Sequence, residues 1–307
     1  MDTKFKVLLA TDYSEAVMNA ERYAVQFAKL TNSTLTLLHV YKVPIPKPVE
    51  ATVFSEEASD FGKSELQRLI QHKDKLLNSL KIRPDELMVD CMVREGEAGK
   101  QIREVAKESD SNFIIVGTHG ASGFRETMYG SHSWNVIKKS SIPVLAIPKD
   151  ALFTGIKNIV FATEYREGEI PLINFIARFA NTFDAKVTVL HVTNYVLSKT
   201  YEAKMFKKFR EDIFGKVSYP KLSMRLIRNE NIAEGINNYC LENKVDMVVM
   251  APEKPFLLEK IFFPASMTKK MSFRTKIPLM AVPDFYNSEF SKFWKNYIQG
   301  DLVNQGV

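Results

Sequence analysis

The sequence predicts an α/β protein built from two tandem open parallel sheets, each with five strands, flanking helices and a Rossmann-like order. One observation behind this prediction is an internal repeat: FKVLLATDYSE at 5–15 recurs as KNIVFATEYRE at 157–167. LLHV at 37–40 recurs in the same way as VLHV at 189–192. The other observation is that short apolar segments alternate with helix-length segments, which is typical of parallel strands joined by crossover helices.

The repeat divides the 307 residues into two domains and a tail. We place the domains at 1–149 and 150–284. Each repeat ends in a similar segment, which is SIPVLAIP at 141–148 and KIPLMAVP at 276–283. The tail at 285–307 carries aromatic residues at helical spacing, which predicts an amphipathic helix docked on the body or on a partner subunit.

Within the first domain, the predicted elements alternate between strand and helix. The strand segments are nearly continuous apolar runs, which favours parallel strands covered on both faces. Ser14 is a candidate N-cap, and apolar residues recur at helical spacing after it. The predicted order is a strand at 6–10, a helix after Ser14, a strand at 34–40, a helix within 55–80, a strand at 87–93, a helix at 98–109, a strand at 113–116, a helix from about Ser131 and a strand at 144–147. The second domain follows the same order.

Composition excludes several classes of protein. The chain is 45% hydrophobic and 25% charged, which is ordinary for a globular protein and excludes a disordered one. It lacks an apolar run of about 18–20 residues, so we expect no membrane association. Its net charge of +6 is spread along a chain with 36 acidic residues, so it identifies no anionic partner. No predicted helix carries a concentrated basic face joined to a recognition motif, which disfavours nucleic-acid binding. Two cysteines and no zinc-like spacing favour a cytoplasmic protein without a structural metal.

The most informative segment is a glycine-rich loop after the fourth predicted strand. Gly117, Gly120 and Gly130 lie between a strand and a helix, at the edge where open α/β sheets bind ligands. Glycine permits positive φ and close backbone approach, and the free N–H groups of such a loop and of the following helix bind anions. Ser131 and Ser133 add hydroxyl donors. The loop therefore predicts a site for a polyphosphate, although it matches neither the P-loop nor the dinucleotide fingerprint.

The spacing Gly-x2-Gly-x9-Gly-Ser, with Asp12 at the end of the first strand, resembles the universal stress protein family. In that family, Gly-x2-Gly-x9-Gly-Ser/Thr is the signature of the ATP-binding branch. The helix containing Asn135-Val136-Ile137 and the Pro143-Val144 that follows it fit the same resemblance. The resemblance covers both domains and leaves out mainly the tail.

The resemblance implies ATP as the ligand and assigns roles to individual positions. It implies that Asp12 contacts the ribose end and that the backbone at Val40 meets the adenine. His119 stands where the family often places a basic or imidazole side chain near the phosphates. The positions implied for phosphate binding are Gly117, Gly120, Gly130, Ser131 and Ser133. Magnesium can accompany ATP, but no carboxylate pair in the sequence points to it.

Two of these assignments have structural alternatives, and a third polar residue is assigned no role. Asp12 could instead cap the first helix. His119 could instead shape its loop without contacting the ligand. His39, which lies in a buried strand, is expected to be a hydrogen-bonded core histidine, and we assign it no site role.

The second domain has lost the features of the glycine loop. An ungapped alignment of the two repeats places Pro252, Pro255 and Ala265 at the positions of the three motif glycines. Proline has no N–H to donate and fixes φ, and the alanine adds a methyl group where close approach is needed. Glu164 keeps a carboxylate in place of Asp12 but projects it farther. We therefore expect one nucleotide per chain, in the first domain.

These features favour an adenine-nucleotide binding stress-response protein that acts by binding and conformation. We assign no catalytic residue, because the loop offers amides and hydroxyls but no evident base and no lysine or arginine to contact a γ-phosphate. At most slow ATP hydrolysis is therefore expected. The alternatives are an interaction scaffold that binds no nucleotide and an enzyme of another kind on the same sheet. The aromatic tail is compatible with a homodimer, and a protein partner is left unidentified.

The last strands of the two domains provide a first testable prediction. The segments at 144–147 and 279–282 are short and apolar, and unpaired edges of this kind promote association. We expect them to pair within the chain, so that the domains pack as a pseudo-dimer. Separate expression of 1–149 and 150–284 should then give proteins that self-associate or precipitate on size-exclusion chromatography. Two soluble, folded monomers would contradict the prediction.

Overall fold

The structure is a computed structural model of the chain. It describes residues 5–43, 51–118, 130–166, 168–194, 198–251 and 277–283. The chain separates into two compact units, and among the described residues unit 1 ends at Phe153 and unit 2 begins at Thr154.

Unit 1 is an open parallel sheet whose strands alternate with helices along the chain. Its strands lie in the order β3-β2-β1-β4-β5, and every neighbouring pair in it is parallel. The predicted five-stranded parallel sheet is therefore confirmed. The elements are β1 Lys6–Thr11, α1 Glu15–Leu30, β2 Thr34–Tyr41, α2 Ala51–Ser79, β3 Val89–Glu95, α3 Ala98–Glu108, β4 Phe113–Thr118, α4 Gly130–Lys139 and β5 Val144–Pro148.

The core of unit 1 explains why its strands could be recognised as apolar runs. Ile114, Ile115 and Leu145 are fully buried, since helices cover both faces of the central strands. Phe27 of α1 meets the ring of Phe113 edge-on at 5.9 Å, close to where β4 begins. Burying one such side chain contributes about 1.5–3 kcal/mol, so these contacts stabilise the end of the unit opposite the carboxyl edge.

Unit 2 repeats the same strand order. Its sheet runs β10-β9-β6-β7-β8, again with parallel neighbours, and corresponds strand for strand to unit 1. Its elements are β6 Asn158–Ala162, α5 Glu169–Asn181, β7 Lys186–Thr193, α6 Lys199–Lys216, β8 Leu222–Arg228, α7 Ile232–Glu242, β9 Met247–Met250 and β10 Leu279–Ala281. The positions aligned with the motif glycines, Pro252, Pro255 and Ala265, lie outside the described residues, as does the predicted tail helix at 285–307.

None of the helices in the described ranges combines the length and the apolar character needed to cross a membrane.

The buried thiol of Cys240 in α7 gives a testable consequence of this packing. The residue is 1% exposed, and burial raises its pKa to about 12. A thiol reacts as its thiolate, so at about pH 8 only roughly one Cys240 side chain in ten thousand is reactive. In a Cys91→Ser variant, Cys240 should resist maleimide labelling in native buffer and react fully in denaturant, as followed by mass spectrometry.

The reciprocal variant Cys240→Ser is the control. Cys91 in β3 is only half-buried, although burial raises its pKa as well, so it should label faster than Cys240. Rapid native labelling of Cys240 would show that α7 does not pack as described.

Candidate functional site

The carboxyl ends of β1, β2 and β4 meet at one edge of the unit 1 sheet, because parallel strands run in the same direction. Asp12 directly follows β1 and is exposed, whereas Val40 near the end of β2 and Gly117 near the end of β4 are half-buried. The register of β1 and β2 ends with Thr11 opposite His39, so Val40 extends past the end of β1. Three of the predicted positions thus lie along one edge.

Helix α4 is tied to the end of β4 by a side chain in its first turn. The helix begins at Gly130, close to the predicted start, and the Ser133 hydroxyl donates a hydrogen bond of 2.9 Å to the carbonyl of Gly117. This bond directs the hydroxyl hydrogen of Ser133 at the protein backbone. It also fixes the first turn of α4 beside the strand end that carries the first motif glycine.

The remaining predicted positions are described in part or not at all. Gly130 is described as the first residue of α4, and Ser131 follows it in the same turn, with its side chain outside the description. His119 and Gly120 lie outside the described residues.

A second contact fixes α4 from the side of α3. The Arg103 guanidinium donates from Nη1 to the Gly99 carbonyl and to Asn135 Oδ1, both at 2.5 Å. A Cβ atom at Gly99 would lie 3.1 Å from Asn135 Oδ1 and 3.0 Å from Glu97 Oε1, so a larger residue there would make these side chains shift by a few tenths of an ångström. Sequence reasoning missed this contact, and only the glycine in the first turn of an amphipathic helix could have indicated it.

The turn between β1 and α1 holds Asp12 by a local hydrogen bond. Asp12 Oδ1 accepts from the Ser14 backbone N–H at 3.0 Å, which is an Asx turn. Ser14 is the N-cap of α1, as predicted, but its hydroxyl makes no capping bond to any residue that the structure describes. Asp12 therefore shapes the turn ahead of the helix, and its carboxylate stays exposed to solvent.

Thr11, at the end of β1, is held by two side chains. His39 Nδ1 lies 2.8 Å from the Thr11 carbonyl, so the ring nitrogen donates to it. The Thr11 hydroxyl donates to Glu21 and accepts from the Tyr13 N–H at 3.1 Å. The expectation that His39 is a hydrogen-bonded core histidine is thus confirmed.

Tyr13 adopts a left-handed backbone conformation, with φ of 61°. This conformation costs a non-glycine residue about 1–2 kcal/mol, which the surrounding contacts must offset. Its ring packs 4.4 Å from the His39 ring, with the Arg68 guanidinium 4.5 Å from its centroid. Burial raises the pKa of Tyr13 to about 12, so the hydroxyl is protonated at neutral pH.

Unit 2 repeats this turn in detail. Tyr165 has φ of 63°, and its ring stacks on His191 at 4.0 Å. His191 Nδ1 lies 2.8 Å from the Thr163 carbonyl, and burial lowers the pKa of this histidine. Glu164, which replaces Asp12, is ion-paired with Arg166 at 2.9 Å. The Thr-x-Tyr turn with its histidine is therefore a property of the fold in both units, whatever either unit binds.

Within the described ranges, no cluster of three or more His, Cys, Asp or Glu side chains is placed to hold a metal ion.

Unit 1 is thus an open α/β domain whose carboxyl edge carries an exposed aspartate beside a glycine-bearing strand that is tied to the start of a helix. Residues 5–148 match the model of the Universal stress protein family. The chain therefore contains a universal stress protein domain over these residues.

Curated relatives match about half of the chain. Universal stress protein YxiE of Bacillus subtilis is 29% identical over 144 residues, which are 46% of this chain and 97% of that protein. Universal stress protein MJ0577 of Methanocaldococcus jannaschii is 27% identical over 153 residues, which are 47% of this chain and 94% of that protein.

A solved structure extends the likeness of fold beyond unit 1. A universal stress protein from Archaeoglobus fulgidus superposes with a TM-score of 0.64 and 16% identity, covering 91% of this chain and 98% of its own. At this identity the comparison concerns the fold alone, and it agrees with the repeated parallel sheet.

The tyrosines of the two turns give a testable prediction about stability. The Tyr13 and Tyr165 hydroxyls are buried and have no hydrogen-bond partner among the described residues. A buried hydroxyl without a partner costs stability, so Tyr13→Phe and Tyr165→Phe should leave the free energy of unfolding unchanged or raise it by up to about 1 kcal/mol. Urea denaturation followed by circular dichroism measures the change.

Tyr219→Phe is the matched control. The Tyr219 hydroxyl donates to the carbonyl of Ala185, so its removal should cost about 1 kcal/mol. A loss of similar size in Tyr165→Phe would mean that this hydroxyl has a partner in solution.

Proposed function

We propose that unit 1 binds an adenine nucleotide, with ATP as the expected ligand, and that the protein serves a stress response through binding and conformational change. The observation that carries the proposal is the hydrogen bond from Ser133 to Gly117, which fixes the first turn of α4 at the end of β4. This turn lies on the sheet edge where Asp12 is exposed. The family of residues 5–148 supports the assignment to stress proteins.

The phosphates are proposed to bind at the start of α4. The first N–H groups of a helix have no partner within the helix, and they form the positive end of its dipole. Such a turn binds phosphate without a lysine. Ser133 contributes by holding the Gly117 backbone in place. The residues proposed for this end are Gly117, His119, Gly120, Gly130, Ser131 and Ser133.

The nucleoside is proposed to lie against the ends of β1 and β2. The Asp12 carboxylate would accept a hydrogen bond from a ribose hydroxyl, while its Oδ1 keeps the bond to Ser14 that orients it. Val40 extends past the end of β1, which supports the proposal that its backbone meets the adenine edge. Any magnesium would be held by the phosphates of the nucleotide.

We propose no catalytic residue for this site. Helix amides and the Ser131 hydroxyl would stabilise a bound polyphosphate, but hydrolysis also needs an oriented water and a base. Slow ATP turnover is the most that we expect.

Replacement of Asp12 tests the nucleotide site. Asp12→Asn keeps an oxygen that can accept from the Ser14 N–H, but it removes the negative charge. A hydrogen bond to a charged group contributes about 1.5–3 kcal/mol, so the variant should bind ATP at least about tenfold more weakly than the unaltered chain. Isothermal titration calorimetry of the full chain should give one ATP per chain.

Glu164→Gln is the matched control, because it neutralises the corresponding carboxylate in unit 2 and should leave ATP affinity unchanged. Two bound nucleotides per chain would contradict the assignment to unit 1. No binding by the unaltered protein, together with no adenine nucleotide released on denaturation, would favour the interaction scaffold instead.

A further inference from the structure

The two units differ in which side chains pack on the tyrosine of the Thr-x-Tyr turn. In unit 2, the Tyr165 ring contacts Phe209 of α6 at 5.2 Å and Phe206 at 6.5 Å between ring centroids. In unit 1, the Tyr13 ring instead contacts His72 of α2 edge-on at 5.1 Å and lies under Arg68. The same turn is thus covered by an apolar helix face in one unit and by a charged face in the other.

Helix α2 also reaches both side chains that hold Thr11. His72 Nε2 lies 2.9 Å from Oε1 of Glu21, the carboxylate that accepts from the Thr11 hydroxyl. Glu65 Oε2 lies 3.5 Å from Nε2 of His39, the ring that donates to the Thr11 carbonyl. Helix α2 therefore holds Glu21 by a hydrogen bond from His72 and places the Glu65 carboxylate beside His39.

In unit 2, the acid that accepts from the hydroxyl of the turn threonine has its hydrogen-bond donors within the same turn. Glu169 accepts from the Thr163 hydroxyl and from the backbone N–H groups of Glu164 and Arg166. The buried acid of α6, Glu202, pairs elsewhere, with Arg228 at 2.9 Å. Among the described residues, an ionic contact from a distant helix to the acid that binds the turn threonine is thus found in unit 1, the unit with the glycine motif.

We propose that α2 controls the position of Asp12, with Glu21 and His72 as positioning residues that transmit the contact through Thr11. The effect on nucleotide affinity rests on the proposed function, whereas the effect on the turn does not. Asp12 lies between Thr11, which Glu21 holds, and Tyr13, whose ring packs on α2. A shift of α2 would therefore move the aspartate.

The burial of Glu21 makes the turn sensitive to loss of the contact between Glu21 and His72. Its side chain is 1% exposed, and a buried carboxylate that loses a partner is strongly destabilising unless the structure opens to water. Opening the turn relieves that cost, so loss of His72 should loosen the turn more than it loosens the sheet. Because binding linkage is reciprocal, bound nucleotide should in turn protect the amides of α2.

His72→Leu and His72→Gln in the full chain test the proposal. Leucine removes the donor to Glu21, whereas the glutamine amide can still donate. We expect His72→Leu to speed hydrogen–deuterium exchange of the Tyr13 and Ser14 amides at least about fivefold, and His72→Gln to stay within about twofold of the unaltered chain. ATP should bind about tenfold more weakly to His72→Leu, with affinity restored in His72→Gln.

Two further variants keep the test decisive. Arg228→Leu removes the cation from buried Glu202 in unit 2, and it should change neither the exchange of the unit 1 turn nor ATP affinity. If His72→Leu does not fold, Arg68→Leu replaces it, because the Arg68 side chain is 62% exposed and its loss is tolerable. We expect Arg68→Leu to change exchange and affinity in the same direction by about twofold to threefold.

The outcomes separate this proposal from the proposed function. Unchanged exchange of the Tyr13 and Ser14 amides in His72→Leu, or in Arg68→Leu where it replaces that variant, would overturn control by α2, whatever the ATP affinity. Faster exchange in a protein that binds no ATP would support control of the turn and refute the nucleotide site. Faster exchange in His72→Leu with unaltered ATP affinity would overturn the link between α2 and Asp12. An effect of Arg228→Leu on the unit 1 turn as large as that of His72→Leu would overturn it too.

Discussion

The turn that follows the first strand of each unit depends on one hydrogen bond, which a histidine on the second strand donates to a backbone carbonyl where the first strand ends. It joins His39 to Thr11 in unit 1 and His191 to Thr163 in unit 2, at 2.8 Å in both. Where a parallel strand ends, its backbone leaves the ladder, and its polar groups need other partners. The histidine supplies one such partner, and it holds the chain in the turn whose next residue lies at the edge of the sheet.

Most of the fold could be predicted from the sequence because buried parallel strands are apolar along their whole length. β4 was expected from Phe113 onward and begins there, and α4 was expected near Ser131 and begins at Gly130. The left-handed Tyr13 could not be predicted, since contacts distant in sequence stabilise it. Glu21 was detectable in principle, because a charge on the buried stripe of α1 indicates a buried partner.

The candidate site could be predicted as a set of positions but not as a set of contacts. The spacing of the glycines and Asp12 indicated which edge of the sheet matters. It did not indicate that the Ser133 hydroxyl is directed at Gly117, nor that Arg103 joins α3 to Asn135 of α4. Both contacts link elements that the sequence separates, and serine and arginine are common on helix surfaces for other reasons.

The local hydrogen bonds of Glu169 have a consequence for how the duplicated chain can evolve. Because this acid is satisfied inside its own turn, the helix α6 that packs above it has no ionic partner to preserve there. Substitutions on the outer face of α6, which is rich in exposed lysine, should therefore leave the turn intact, whereas Phe209 on its inner face packs against Tyr165. The sequence of α6 is thus less constrained by ionic contacts with its turn than the sequence of α2 is in unit 1.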